Sequence, residues 1–284
     1  MLLPAARHEV SFWHGQDRLC GDLRVPVTSG RHPVVLLVRD PDEAQRDYSP
    51  WLDDLAVAGI ASFTWDRPSF LPEASRGARS VGRHAREVLS AVDRLRFVPD
   101  LDPAAVALLG WGRGGWAAAQ ATTYSNDVRA LVLASPLVAR PGPDGVEHDL
   151  RPTLSAVTVP VLALFGERDP LLEPRESVRT VRATLRDAGH VDHEVAVVRG
   201  ADHGLRVRAP HGLGAMVGGF HRFGDWPAAL TDLLVRWLDR RLRPQEIPTY
   251  APPLRAPQVR FPARTRIPLP APVPVRQVRR RVPL

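Results

Sequence analysis

The chain contains no lysine, a single cysteine and no long uninterrupted hydrophobic run. Its 38 basic residues are all arginine, which we attribute to genomic base composition and not to a binding function. Cys20 has no second cysteine with which to form a disulfide inside the chain. No apolar stretch approaches the roughly 20 residues of a membrane-spanning helix, and no basic region of the kind that opens a signal peptide stands at the N-terminus. We therefore expect a soluble, cytoplasmic protein without a transmembrane segment.

The positive charge of the chain lies at its C-terminal end. The formal net charge is +7, yet residues 243–284 alone contain nine arginines and one acidic residue, so residues 1–242 are close to neutral. A nearly neutral domain lacks the basic face of a nucleic-acid-binding protein. Eleven prolines in the same 42 C-terminal residues favour disorder. We predict one folded domain, residues 1–242, followed by a disordered Pro/Arg-rich tail, residues 243–284.

Short apolar runs of strand length alternate with amphipathic stretches of helical period in the predicted domain. We predict strands at residues 8–12, 19–27, 33–38, 60–65, 104–109, 128–134, 159–165 and 191–198. We predict helices at residues 48–58, 81–95, 113–124 and 174–189, and a last helix with Asp225 as its N-cap and Pro227 in its first turn. This alternation indicates an α/β fold, with an N-terminal antiparallel hairpin and a mostly parallel sheet covered by helices on both faces. Only a minimal lid fits between residues 135 and 160.

Residues 109–116 form a glycine-rich stretch between a predicted strand and a predicted helix. A strand, a tight turn and a helix with the spacing Gly-x-nucleophile-x-Gly make up a nucleophile elbow, whose strained middle residue presents its side chain above the sheet. Gly110 and Gly114 occupy the outer positions, and Gly112 occupies the middle one. Glycine adopts the strained backbone at little cost. It supplies no nucleophile, however.

An acid and a histidine follow the elbow at the places where such a fold requires them. Asp169 lies just past the strand predicted to end at Phe165, and His203 lies just past the strand predicted to end at Val198. The chain order of nucleophile position, acid and histidine is that of the α/β-hydrolases. A carboxylate that orients an imidazole makes a general base, which is the role we predict for this pair.

Taken together, these motifs resemble the α/β-hydrolase superfamily, and most of all its small bacterial esterase, dienelactone-hydrolase and acyl-peptidase-like branches. The resemblance covers roughly residues 8–242. It rests on Trp65-Asp66-Arg67, the glycine-rich elbow, Phe165-Gly166-x-x-Asp169 and Gly200-Ala201-Asp202-His203-Gly204. It implies an α/β-hydrolase fold. It also implies a serine, cysteine or aspartate at the elbow and a His-Gly pair in the loop after the third strand.

The sequence departs from this family pattern at three places. Gly112 stands at the nucleophile position, Val38-Arg39-Asp40-Pro41 replaces the His-Gly loop, and Pro68 stands where a glycine is common. Loss of one oxyanion-hole donor costs roughly 3 kcal/mol, and loss of a nucleophile leaves a residual acceleration of about 10³ to 10⁴ over water. We therefore do not expect an efficient acyl-enzyme mechanism.

The remaining Asp169–His203 pair predicts non-covalent general-base chemistry, or weak hydrolysis of a small ester-like metabolite, beside the vacant nucleophile position at Gly112. The first amide and the dipole of the following helix would favour developing negative charge. The predicted oxyanion-side and pocket residues are Arg113, Arg39, Asp40 and Trp111. The expected ligand is a small molecule, and no cofactor or metal site is predicted, because the histidines lack a recognisable ligand spacing.

Three other interpretations of the same residues stay open. In the first, the protein is a catalytically silent pseudohydrolase that binds a ligand or a partner, with Asp169 and His203 as inert scaffold. In the second, Gly110, Gly112 and Gly115 form the G-x-G-x-x-G fingerprint of a dinucleotide-binding protein, although the predicted strand 128–134 ends without a ribose-binding acid. In the third, Gly112 is an engineered or recent change in an active hydrolase, which the altered loop at residues 39–41 disfavours.

The arginines near the C-terminus predict a further partner. Arg276 and the cluster at residues 279–281 would dock to an acidic partner or an anionic membrane surface, releasing counterions as they do so. We expect deletion of residues 243–284 to abolish co-sedimentation of the protein with anionic vesicles at low salt. Unchanged association with vesicles and with RNA would leave the tail with a solubilising role alone.

Overall fold

The computed structural model of the protein describes residues 5–39, 51–66, 78–141, 147–207 and 226–243. Within these ranges the chain forms ten strands and six helices. The strands are β1 (Ala5–His14), β2 (Asp17–Pro26), β3 (His32–Val38), β4 (Ala61–Trp65), β5 (Leu101–Trp111), β6 (Ala130–Ala134), β7 (Ala139–Pro141), β8 (Glu147–Asp149), β9 (Val161–Gly166) and β10 (His193–Val198). The helices are α1 (Trp51–Val57), α2 (Ala78–Leu95), α3 (Gly114–Tyr124), α4 (Arg151–Ala156), α5 (Pro174–Asp187) and α6 (Ala228–Leu242).

Eight of these strands form one sheet in the order β1-β2-β4-β3-β5-β6-β9-β10. β1 and β2 pair antiparallel along their whole length, from Ala5 opposite Pro26 to His14 opposite Asp17, and β2 pairs antiparallel with β4. The pairings from β4 across to β10 are parallel. This arrangement is the α/β-hydrolase fold, and it confirms the predicted N-terminal hairpin and mostly parallel sheet.

The central strands are buried on both faces because helices cover both sides of the sheet. Successive side chains of a strand point to opposite faces. β5 therefore sends Val106 and Leu108 into one core and Ala107 and Leu109 into the other. Helices α2, α3, α4 and α5 pack on the first face, and α1 and α6 pack on the second. A strand buried on both sides must be continuously apolar, which is why the run at residues 104–109 predicts a central strand.

Glycines allow helix α3 to lie directly on the ends of β5 and β3. A Cβ atom on Gly110 would lie 2.5 Å from the Cα atom of Gly115 and 2.8 Å from the Cβ atom of Ala118. A Cβ atom on Gly114 would overlap the carbonyl oxygen of Val38. The glycine-rich stretch is thus a packing requirement. It holds the N-terminus of α3 against the carboxyl edge of the sheet.

The segment between β6 and β9 contains more structure than the sequence predicts. β7 and β8 pair as a small antiparallel hairpin, and α4 follows them. The guanidinium group of Arg151 donates a hydrogen bond to the Asp149 carboxylate at the start of α4, which lowers the pKa of Asp149 below its ordinary value. Strands of three residues are too short to leave a periodic pattern, so this hairpin has no signal in the sequence.

The start of the last helix differs from the prediction. The sequence favours Asp225 as the N-cap with Pro227 in the first turn, but Pro227 is itself the N-cap residue of α6. A proline fits this position because an N-cap residue has a non-helical backbone and proline allows the observed φ of −60° and ψ of 133°. The predicted N-cap was therefore wrong. Asp225 lies outside the described residues.

Arg243, the first residue of the predicted tail, contacts the folded domain. Its guanidinium group donates a hydrogen bond to the carbonyl oxygen of Ala58 at 3.0 Å and forms an ion pair with Asp239 one helical turn earlier. The chain divides into two units, Met1–Gln245 and Glu246–Leu284, and the second unit lies outside the described residues. The predicted disorder of the tail therefore stays a prediction.

We expect the exchange Gly110→Ala to lower the free energy of unfolding by about 3 kcal/mol, because the added methyl group meets backbone atoms that have no room to move. The matched control is Gly82→Ala in α2, where the nearest atom to an added Cβ is Gln120 Oε1 at 3.9 Å. The control should gain about 0.5 to 1 kcal/mol from helix propensity. Urea denaturation measures both, and equal stability of the two variants would contradict the packing role of Gly110.

Candidate active site

Gly112 lies in the turn between β5 and α3, where the fold places a nucleophile. Its φ is +53°, in the left-handed region that glycine adopts without steric cost. Its amide donates a hydrogen bond to the carbonyl oxygen of Ala134 at 3.0 Å, and its own carbonyl oxygen accepts one from the amide of Gly115 at 3.2 Å. The backbone has the geometry of an elbow, and a glycine extends no side chain from it.

Two of the predicted oxyanion-side residues lie next to this turn. Arg113 is the N-cap residue of α3, and Arg39 follows β3, where its carbonyl oxygen lies against Gly114. Both arginines are half-buried. The start of α3 brings the positive end of its helix dipole to this edge of the sheet. The neighbouring Asp40 lies outside the described residues.

The acid and the histidine predicted from the sequence are in direct contact. Asp169 Oδ2 and His203 Nδ1 lie 2.7 Å apart; the Asp169 side chain is fully buried, and that of His203 is 15% exposed. The second carboxylate oxygen, Oδ1, accepts hydrogen bonds from the amides of Leu171 at 2.8 Å and Leu172 at 3.2 Å. Because an ionised carboxylate can only accept, Nδ1 carries the proton. Nε2 is then the basic nitrogen of the neutral imidazole.

Two loops at the carboxyl edge of the sheet carry this pair. The acid loop, residues 167–172, follows β9, and the histidine loop, residues 199–207, follows β10. β9 and β10 are parallel neighbours, with Val161 opposite His193. Parallel neighbours end at the same edge of a sheet, which is where open α/β sheets bind their ligands. The topology therefore brings together two residues that lie 34 positions apart in the chain.

Contacts between the two loops fix their relative position. The Glu167 carboxylate in the acid loop accepts a hydrogen bond from the amide of Gly200 in the histidine loop at 2.7 Å. A Cβ atom on Gly166 would overlap the carbonyl oxygen of Asp202. The glycine of the Phe-Gly-x-x-Asp pattern is therefore what allows the loops to approach each other.

An aromatic pair connects the histidine loop with the elbow. The ring centroids of Trp111 and Trp226 lie 5.8 Å apart, with 35° between the ring planes. Trp226 Nε1 donates a hydrogen bond to the carbonyl oxygen of Gly204 at 3.1 Å. Trp111 directly precedes Gly112, and Gly204 directly follows His203. Trp111, predicted from the sequence as a pocket residue, thus packs against a residue that the sequence reasoning did not single out.

A cavity of about 1060 Å³ opens beside His203. Its described lining comes from the acid and histidine loops and combines three arginines with apolar side chains and one carboxylate. Besides His203 and two glycines, the lining residues are Arg168, Arg199, Arg206, Pro170, Leu171, Val207 and Asp202. Three of the predicted pocket residues are absent from the described lining, namely Arg39, Trp111 and Arg113.

Sequence reasoning missed the three arginines of this cavity, although a signal for them exists. Each arginine stands within four residues of Asp169 or His203. Loops that carry catalytic residues also form the walls around them. In a chain with 38 arginines and no lysine, however, a single arginine carries little information of its own. The usable signal was the short sequence distance of these arginines from Asp169 and His203, which predicts that they line the cavity.

The glycines of the G-x-G-x-x-G pattern have a packing role in this structure. Gly110 and Gly115 touch where α3 crosses the end of β5, and a side chain on Gly110 would separate the two elements. The pattern follows β5, which comes after four earlier strands of the sheet, whereas the dinucleotide fingerprint follows the first strand of its fold. The close approach of helix and strand accounts for these glycines without a dinucleotide.

The described ranges contain no cluster of three or more histidine, cysteine, aspartate or glutamate side chains that could hold a metal ion. None of the helices in those ranges combines the length and the apolar character needed to cross a membrane.

The sheet topology and the elbow define the class of the protein, which is an α/β-hydrolase. The model of the dienelactone hydrolase family matches residues 74–218, just over half of the 284-residue chain. The chain belongs to the dienelactone hydrolase family. The matched segment contains the elbow, Asp169 and His203. No curated protein matches the sequence significantly.

Solved structures share this fold at low sequence identity. A dienelactone hydrolase-like promiscuous phosphotriesterase from metagenomic libraries is 19% identical with a TM-score of 0.63, over 84% of this chain and 100% of that chain. Dienelactone hydrolase from Anabaena variabilis is 23% identical with a TM-score of 0.56, over 84% and 100%. The uncomplexed acylaminoacyl peptidase from Pyrococcus horikoshii is 16% identical with a TM-score of 0.68, over 87% of this chain and 43% of that chain. These similarities show the fold alone.

We expect Asp169→Ala to lower the free energy of unfolding by about 3 kcal/mol, because it leaves His203 Nδ1 and the amides of Leu171 and Leu172 without their acceptor. Asp169→Asn retains an oxygen acceptor for the two amides, so its loss should be about 1 kcal/mol. Guanidinium denaturation followed by circular dichroism compares the two variants. Equal losses would show that the amide hydrogen bonds contribute nothing to holding the acid loop.

Proposed function

We propose that the protein hydrolyses small esters or lactones by activating a water molecule directly, without an acyl-enzyme intermediate. The observation that carries the proposal is the 2.7 Å hydrogen bond between the buried Asp169 carboxylate and His203, at the wall of a cavity of about 1060 Å³. Membership of the dienelactone hydrolase family supports an ester or lactone as the substrate class. Gly112 supports the direct route, because a glycine at the elbow has no side chain that could be acylated.

The proposed reaction consists of two proton transfers around one addition and one cleavage. His203 Nε2 takes a proton from water while the water oxygen bonds to the acyl carbon, and the Asp169 carboxylate stabilises the imidazolium that forms. The bond between the acyl carbon and the leaving oxygen then breaks, and His203 returns the proton to that oxygen. The products are a carboxylic acid and an alcohol, joined in one molecule when the substrate is a lactone. The N-terminus of α3 favours the transient oxyanion.

We expect this chemistry to be slower than that of hydrolases with a complete triad. General-base catalysis contributes about 10² to 10⁴ in rate. A covalent nucleophile divides a difficult step into two easier ones, and Gly112 does not provide one. The altered loop at residues 38–41 also lacks the His-Gly pair that supports an oxyanion hole in the family.

The arginines of the cavity support an anionic substrate. In the described part of the chain, neither Arg168 nor Arg199 forms an ion pair, although both line the cavity with His203. Leu171 and Val207 add apolar surface to the same wall. A guanidinium group binds a carboxylate or phosphate through two parallel hydrogen bonds. A short ester or lactone that carries such a group fits this combination of basic and apolar side chains.

A binding function without catalysis is the second candidate, and Gly112 is the observation that favours it. A pseudohydrolase would hold a small molecule in the same cavity, and the Asp169–His203 hydrogen bond would serve as part of the scaffold. The two candidates differ in whether product forms. Turnover and binding measured on the same compounds therefore distinguish them.

We expect the wild-type protein to hydrolyse short acyl esters and lactones that carry a carboxylate, and His203→Gln to lower kcat by about 10²-fold or more. Neutral esters of the same length should show a higher KM, because they have no carboxylate to form hydrogen bonds with the cavity arginines. The matched control is His8→Gln, on the exposed part of β1, which should leave the rate unchanged. Tight binding of these compounds by calorimetry without product formation would favour the binding function.

A fluorophosphonate probe provides a separate test of the base and the elbow. We expect Gly112→Ser to react with the probe, since the exchange places a hydroxyl at the elbow of a chain that retains its base. The wild type and the double variant Gly112→Ser/His203→Gln should both stay unlabelled by mass spectrometry. A labelled serine in the wild type would contradict the absence of a nucleophile.

A further inference from the structure

Trp226 connects the two halves of the candidate active site. It precedes α6 and is distant in sequence from both the elbow and the histidine loop. Its indole N–H donates a hydrogen bond to the carbonyl oxygen of Gly204 at 3.1 Å, and its ring packs against Trp111 at a centroid distance of 5.8 Å. Gly204 is bonded directly to His203 along the chain, and Trp111 is bonded directly to Gly112.

Other contacts of the histidine loop fix its position relative to the acid loop, not relative to the elbow. The bond from the Gly200 amide to the Glu167 carboxylate and the close approach of Gly166 to Asp202 hold the histidine loop against the acid loop. These contacts set the position of His203 relative to Asp169. They do not touch the elbow, which lies beyond β6 at the end of β5.

The backbone turns sharply next to the carbonyl group of Gly204 that accepts the hydrogen bond from Trp226. Leu205 has a φ of +53°, an uncommon conformation for a residue with a side chain, and its side chain is fully buried among apolar side chains. The chain therefore turns sharply directly after His203 and Gly204. The hydrogen bond from Trp226 to the Gly204 carbonyl oxygen holds the peptide between Gly204 and Leu205, one residue beyond His203, from outside the loop.

We propose that Trp226 is a positioning residue that sets the separation between the base, His203, and the elbow with the N-terminus of α3. The catalytic consequence rests on the proposed function, because the water activated by the base and the oxyanion favoured by the helix terminus belong to one tetrahedral intermediate. Trp226 acts through Gly204 on one side and through Trp111 on the other. It contributes placement, and the Asp169–His203 pair contributes the proton transfer.

The first experiment measures placement without any substrate. In protein with 15N-labelled histidine and tryptophan, the hydrogen-bonded indole N–H of Trp226 should exchange with solvent more slowly than the indole N–H of Trp13. Trp13 is the reference because it is 65% exposed. Trp226→Phe retains a ring against Trp111 and loses the donor, so it should shift the ring resonances of His203. Trp13→Phe is the matched control and should leave them unchanged. Equally fast exchange of the two indoles, or unshifted His203 resonances in Trp226→Phe, would overturn the proposal.

The second experiment measures the consequence for reactivity, using Gly112→Ser as the reference. Adding Trp226→Phe should lower the rate of fluorophosphonate labelling about tenfold, because a misplaced base loses its near-attack geometry. The pH at which labelling is half-maximal should stay the same, because the Asp169–His203 pair is intact. An unchanged rate, or a lower rate with a shifted pH midpoint, would contradict a positioning role.

The two proposals fail in distinguishable ways. If Gly112→Ser is not labelled and the wild type turns over no substrate, the proposed hydrolysis fails. The solvent exchange and the His203 resonances still decide whether Trp226 holds the histidine loop. If labelling and turnover are present but both are insensitive to Trp226→Phe, the positioning role alone fails.

Discussion

Direct backbone contact between α3 and the ends of β3 and β5 is the constraint on which the candidate site depends. The contact exists because Gly110 and Gly114 have no side chains to hold the helix away. It brings the N-terminus of α3 to the carboxyl edge of the sheet. β5, β6, β9 and β10 are successive parallel neighbours in the sheet, so the acid and histidine loops begin at the same edge as the elbow. Helix packing and strand direction therefore place the N-terminus of α3, the Asp169 carboxylate and the His203 imidazole at one edge of the sheet.

The order of elements and the Asp169–His203 contact could be predicted from the sequence because each has a local signal. Continuous apolar runs marked the inner strands, and the two residues followed predicted strand ends within short glycine-containing motifs. The β7–β8 hairpin could not be predicted, since three-residue strands carry no period. The N-cap of α6 was misassigned because the residue favoured by capping preference was Asp225, whereas the chain used Pro227.

The site itself was predictable only where its residues lie beside a motif. Trp226 and the cavity arginines reach the site through tertiary contacts that have no fixed spacing from the elbow. Family membership has the same limit: it accounts for the fold and for the position of the elbow, while the residue at that position is a property of this chain. A function argued for this protein must therefore come from the side chains present, and not from the family name.

The φ of +53° at Gly112 also bears on the balance between stability and activity. A residue with a Cβ atom in the left-handed region costs about 1 kcal/mol or more. Hydrolases that place a nucleophile there accept this strain in return for reactivity. The present chain has a glycine there and avoids this cost. With glycine at this position, the free energy of unfolding is higher than it would be with a nucleophilic side chain in the same backbone conformation.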